Sequence, residues 1–153
     1  MKIIGFINSK GGVGKSTIAC NIAVEVALSG KNPLLIDSDI QGSSTAFRAT
    51  RELDDIKAVS ITTATIHKDI HGFNGLDIAI IDAGGKDTAV FRSTIMACDL
   101  MLIPTCPSQY DIWACSDCIQ VLKESRAYKD IPAYFLLNQL IPNTIVSKDA
   151  TEA

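Results

Sequence analysis

At 153 residues the chain is long enough to bury a core without disulfides or metals, and it falls within the usual size of one domain. Hydrophobic residues make up 47% and charged residues 20%, which excludes a disordered chain, while the longest apolar runs, such as residues 100–104, are far too short to span a bilayer. A net charge of -3 argues against nucleic-acid binding by bulk charge and leaves only a local or oligomer-built basic surface. Five cysteines, an odd number without framework spacing, fit a reducing cytosol. The apolar N-terminus runs into glycines and not into a cleavage site, so no export signal is read and a soluble cytoplasmic protein is expected.

Residues 2–8 (KIIGFIN) form an isoleucine-rich run that stops at glycines, as a buried parallel strand does. A loop over residues 9–14 leads to residues 16–28, where Ile18, Ile22 and Val26 recur at helical spacing, and Gly30 stands where a left-handed residue ends a helix. Residues 33–37 (PLLID) are a second strand, so strand, helix and strand make one crossover unit and the sheet is expected to be parallel. Residues 41–45 read as a polar loop, 46–53 as a short helix and 58–61 as a small strand. Clear strands follow at 76–82, 100–105 and 133–138, with helices at 88–97 and 112–126. Residues 146–153 are polar and are predicted to end without a closing helix. The fold class is α/β, a doubly wound and mostly parallel sheet whose strand carboxyl ends share one ligand-binding edge.

Between the first strand and the first helix lies Ser9-Lys10-Gly11-Gly12-Val13-Gly14-Lys15-Ser16-Thr17, the context that a phosphate-binding P-loop demands. Glycines let the backbone curl so that successive N–H groups point at phosphate oxygens, and the helix N-terminus adds its positive dipole. Lys15 is placed to reach β- and γ-phosphates and the Ser16 hydroxyl to ligate Mg2+, which makes ATP with Mg2+ the expected ligand. A merely flexible glycine turn would leave both lysines unexplained.

Ser9 replaces the first glycine of the common P-loop form and a second lysine, Lys10, sits inside the loop. The resulting K-G-G-x-G-K-[ST] resembles the deviant Walker A motif of the family that contains ParA partition ATPases, MinD cell-division regulators and the nitrogenase iron protein. The resemblance implies that Lys10 crosses a dimer interface to the partner's nucleotide. LLIDSDIQGSS, residues 34–44, is similar to the family's LLIDxDPQGS segment, with Ile40 in place of the proline. That similarity implies that Asp39 orients the attacking water, that Asp37 supports the Mg2+ shell, and that Gln41 and Ser43 shape a switch-like loop. Asp82, at the end of LDIAIID, resembles a Walker B aspartate holding a water ligand of Mg2+, and Gly84 and Gly85 would let the backbone pass close to the γ-phosphate. IIDAGGKD, residues 80–87, is closer to the partition ATPases than to MinD. LIPTCPSQYDIW, residues 102–113, resembles a loop beside the family's dimer interface, which implicates Asp111. Asn138, in FLLNQLIPN, matches the asparagine that contacts adenine in this family, with the residues up to Pro142 completing the base pocket.

The resemblance therefore implies a single P-loop ATPase domain over residues 1–153, of the small ParA-like form, without the C-terminal helices of longer members. It implies a weak Mg-dependent ATPase that dimerises on ATP and partitions plasmid or chromosomal DNA with a centromere-binding ParB-like adaptor. Its place would be the cytoplasm or the nucleoid, with non-specific DNA contacts in the absent region and no stable membrane insertion. The alternative is a MinD-like, membrane-associated spatial regulator or an ATP-dependent switch. Weaker signals are set aside: Cys115 and Cys118 read as buried helix cysteines, His67 and His71 as a solvated face, and Lys123, Arg126 and Lys129 as a helix-end preference.

Overall fold

The computed structural model describes residues 1–85 and 88–152. Lys86 and Asp87, the end of the IIDAGGKD segment, and Ala153 lie outside the described residues. Strands β1 (Lys2–Phe6), β2 (Pro33–Asp37), β3 (Lys57–Ser60), β4 (Ile78–Asp82), β5 (Leu100–Thr105) and β6 (Ala133–Leu137) form a 6-stranded sheet in the order β3-β2-β4-β1-β5-β6. Every pairing in it is parallel. The connecting helices are α1 (Lys15–Leu28), α2 (Ser43–Thr50), α3 (Ile66–Asp69, followed by a 3-10 turn at Ile70–Gly72), α4 (Thr88–Ala97), α5 (Gln109–Arg126) and α6 (Ile145–Glu152).

Continuous apolar runs are what a sheet covered on both faces requires, because successive side chains of a strand point in opposite directions. Leu34, Ile36, Ala79 and Ile81 pack with Ile66, Ile95 and Leu122 of α3, α4 and α5 in one core. Phe6, Leu35 and Ile80 pack with Ala19 and Ala23 of α1 in the other. The chain leaves β1 through β2 to β3, returns to insert β4 beside β1, and then adds β5 and β6 on the other side. The loop after β1 therefore opens at the crevice where strand order reverses, the usual ligand site of such sheets. Ladder bonds run past the strand ends and tie the loops together: Ala83 N–H donates to Phe6 O (3.1 Å), Ile7 N–H to Leu102 O (3.0 Å), Ser38 N–H to Asp82 O (2.9 Å) and Asn138 N–H to Thr105 O (2.8 Å).

Three sequence expectations need correction. Helix α2 begins at Ser43, inside the segment read as a loop, because its first turn is pinned from a distance by two carboxylates described below. The C-terminal segment is helical over Ile145–Glu152, with the buried Ser147 hydroxyl accepting from Ile141 N–H at 3.1 Å and Ser147 N–H donating to Thr144 Oγ1 at 3.3 Å. His67 is no solvated-face residue, since its Nδ1 lies 2.9 Å from Ser93 Oγ. Cys115 and Cys118 are buried on α5 as expected, and Lys129 spends its charge on Cys98 O at 2.7 Å. Among the described residues no helix is long and apolar enough to cross a membrane.

Ile80 is fully buried between β1 and β2 on the α1 face. Truncating it, Ile80→Ala, is expected to cost about 2–5 kcal/mol, read as a lower urea midpoint with unchanged slope.

Candidate functional site

Five loops converge at the carboxyl edge, and those after β1, β2 and β4 line a cavity of about 700 Å³. Ser9, Gly11 and Lys15 come from the P-loop, Ser38, Asp39, Ile40 and Gln41 from the loop after β2, and Gly84 and Gly85 from the loop after β4. Of the site residues expected from the sequence, Gly11, Lys15 and Asp39 line this cavity.

Glycines set the shape of the P-loop. Gly14 caps α1 with φ 95, a left-handed value that a side chain would strain, and Asn138 Nδ2 sits where its Cβ would point. A Cβ on Gly85 would stand 2.8 Å from Ser9 O and 2.9 Å from Asn8 O, and one on Gly84 3.1 Å from Asp39 Cα. The glycine pair therefore lets the loop after β4 touch both neighbouring loops. Val13 is buried, whereas Gly11 and Gly12 are exposed and Gly11 lines the cavity.

The carboxylates are arranged by strand register. Asp37 and Asp82 are Cα partners on β2 and β4, and both are buried. Asp37 accepts Asp39 N–H at Oδ1 (3.1 Å) and Thr45 N–H at Oδ2 (2.8 Å), so it holds both the loop and the start of α2. Asp82 Oδ2 accepts the Ser44 hydroxyl at 2.6 Å, and Oδ1 is buried with no hydrogen-bond partner among the described residues. Burial raises the Asp82 carboxyl above its ordinary range, against the opposing pull of the Ser44 and Ser16 hydroxyls and of Lys15. Asp39 is half-buried, and its Oδ1 accepts Gln41 N–H at 3.0 Å.

The two lysines stand in different surroundings. Lys15 is buried, with Nζ donating to Lys10 O at 3.0 Å, and burial lowers its ammonium from the usual lysine range although Asp82 and Asp39 pull the other way. Lys10 Nζ lies 2.7 Å from Asp111 Oδ1 at the start of α5. Burial pushes the Asp111 carboxyl up, but Lys10 and the Ser108 hydroxyl outweigh it and hold the group below the usual range.

Several contributors escaped the sequence reading. Ser44 was hidden in a polar stretch that looked like loop. Asn8, fully buried, donates through Nδ2 to Pro104 O (2.7 Å) and accepts Lys10 N–H at Oδ1 (2.9 Å), clipping the root of the P-loop to the end of β5. Its signal was a polar residue closing an apolar strand. Gln139 Nε2 donates to Gly12 O at 3.0 Å, beside the Asn138 Nδ2 bond to Val13 O at 2.9 Å. Leu140, Ile141 and Pro142 line a second cavity of about 430 Å³ with α6 and are not among the residues lining the first.

The residues fit a magnesium ion bound with a triphosphate. Among the described residues there is no cluster of three His, Cys, Asp or Glu side chains to cage a metal. Mg2+ does not need one, since it keeps waters and takes phosphate oxygens with one or two carboxylates. The orphaned Asp82 Oδ1 and the nearby Ser16 hydroxyl are the donors such an ion would use.

A family profile described as AAA domain matches residues 1–73. The chain is 30% identical over 114 residues to the maintenance of carboxysome distribution protein A of Gloeobacter kilaueensis, covering 72% of this chain and 52% of that one. It is 31% identical over 128 residues to Protein ParA of Rhizobium radiobacter, covering 81% of this chain and 57% of that one. Its fold matches a plasmid partition protein of Borrelia burgdorferi bound to AMPPNP with a TM-score of 0.79 at 16% identity, over 99% of this chain and 81% of that one. The chain is similar to ParA-type ATPases over the span it shares with these relatives. The chain spans little more than half the length of these two curated relatives. Within that span it carries the P-loop and the acidic residues Asp37, Asp39 and Asp82.

Because the Asp82 pKa is raised in the folded chain, this group's contribution to stability is present at low pH and is lost as pH rises through the raised value. Asp82→Asn, which is neutral throughout, is expected to raise the melting temperature of the nucleotide-free chain at neutral pH and to flatten its fall between acid and neutral pH. The same variant should lose the Mg2+ dependence of nucleotide binding. Thermal scans with and without Mg2+ across that range check both.

Proposed function

We propose that this chain is a Mg-dependent ATPase that dimerises on ATP and partitions DNA together with a centromere-binding, ParB-like adaptor. The observation that carries the reading is the convergence of Lys15, Asp39 and the glycine pair on one cavity at the mouth of the P-loop. On ATP binding Lys15 leaves Lys10 O and turns to the β- and γ-phosphates, where its charge is fully used. Ser16 and Asp82, supported by Asp37, would hold Mg2+, which would supply neutralisation of phosphate charge. Asp39 orients the water that attacks the γ-phosphorus, and the loop N–H groups take up the charge that develops on the oxygens. Lys10 leaves Asp111 and reaches the nucleotide of the second protomer, doing there the work of an arginine finger. A second reading of the cargo, a protein microcompartment, is favoured by the relative named for carboxysome distribution.

Lys15→Ala is expected to abolish ATP binding by calorimetry; an unchanged affinity would remove the site. Asp39→Ala should bind ATP normally yet hydrolyse it about a hundredfold more slowly or worse, and a parental rate would refute the water-positioning role. Lys10→Ala should bind ATP but neither dimerise nor turn over. Mixed one to one with Asp39→Ala, it should recover part of the parental activity, because each mixed dimer holds one complete site, with an intact Lys10 in trans and an intact Asp39 in cis. No recovery would mean that Lys10 does not act in trans.

A further inference from the structure

Two side-chain amides from the turn after β6 reach the backbone of the phosphate loop. Asn138 Nδ2 donates to Val13 O at 2.9 Å and Gln139 Nε2 to Gly12 O at 3.0 Å. In a planar trans peptide the carbonyl of one residue and the N–H of the next point in opposite directions. Drawing the carbonyls of Gly12 and Val13 towards β6 therefore turns the N–H groups of Val13 and Gly14 the other way. Among the described residues neither N–H meets an acceptor. These are donors of the kind a phosphate group takes up.

The geometry is built for this contact from both sides. Gly14, left-handed at φ 95, has no Cβ at the place Asn138 Nδ2 occupies, so the amide passes over the loop. Gln139 adopts a left-handed φ of 57, uncommon for a residue with a side chain, and that reversal carries its amide back to Gly12. Asn138 N–H is itself fixed on Thr105 O at 2.8 Å, so the clamp stands on the sheet edge and not on a free loop.

We propose that Asn138 and Gln139 are positioning residues that clamp the P-loop carbonyls, so that the loop presents its N–H groups to a polyphosphate whatever base follows. This deepens the nucleotide-site reading and rests on it. It gives Asn138 a phosphate-side role where the family resemblance implies a contact with adenine.

Inorganic tripolyphosphate separates the two roles, because it has phosphates and no base. Its affinity with Mg2+, and that of Mg·ATP, is measured by displacement of a fluorescent ATP analogue from the parent chain, Asn138→Ala and Gln139→Gly. Gln139 is exposed, and glycine adopts the left-handed φ without strain, so this variant should melt at or above the parental temperature. The clamp predicts that each variant weakens both ligands by the same factor, about fivefold for one neutral hydrogen bond, with the ratio of ATP to GTP affinity unchanged. Parental tripolyphosphate affinity in both variants, whether or not ATP weakens, overturns the clamp. So does a parent that binds ATP but no tripolyphosphate, since its loop would not then be ready for phosphate alone. A parent that binds neither ligand refutes the nucleotide site itself, which is a separate failure.

Discussion

Parallel pairing sets Asp37 and Asp82 opposite one another at the ends of β2 and β4, with both side chains out of water. Two neighbouring buried carboxylates are costly unless donors or cations surround them. The loops around them are shaped by that requirement. Asp37 collects two backbone N–H groups, Asp82 collects the Ser44 hydroxyl, and Lys15 adds a buried positive charge nearby. One oxygen, Asp82 Oδ1, is left over. Under the proposed function that oxygen would meet the cation that accompanies the triphosphate.

The same arrangement joins elements distant in sequence. Helix α2 starts where it does because Ser44 and Thr45 meet the two aspartates, so the chain between β2 and α2 is stretched over the acidic pair with Asp39 at its bend. On the other side Asn8 ties the root of the P-loop to β5, and Gly85 packs on the carbonyls of Asn8 and Ser9. Backbone hydrogen bonds from Ala83 N–H to Phe6 O and from Ser38 N–H to Asp82 O join the loop after β4 to those after β1 and β2.

What the sequence made legible was contiguous. The P-loop, α1, β2, α4 and β5 announce themselves through motif, period and punctuation within a few residues, and β2, α4 and β5 fall on the bounds read from them. Asp37 and Asp82 were legible because each ends a strand, and Asp39 because it stands two residues beyond one. Ser44, Asn8 and Gln139 were not, since their roles come from partners 38, 96 and 127 residues away. Helix α6 was missed because its sequence is weakly apolar and its first turn is set by local side-chain bonds around Thr144 and Ser147. His67 was misread for the opposite reason: its partner, Ser93, lies on another helix.

The contrast between Lys10 and Lys15 carries a further step. Both belong to one short loop, yet Lys15 is buried near Asp82 and Asp39, whereas Lys10 is partly exposed and held by a buried carboxylate on α5. Under the proposed function Lys10 must leave Asp111, and that departure strips a nearly buried carboxylate of its cation. Only a larger negative charge can draw the lysine away, and a triphosphate in the facing protomer is such a charge. The Lys10–Asp111 pair thereby sets a threshold: it favours the separate chain until nucleotide is bound, and Ser108, which stays on Asp111, softens the cost of the exchange. Association and nucleotide occupancy are then coupled through one side chain, with reciprocal effects on each other's equilibrium.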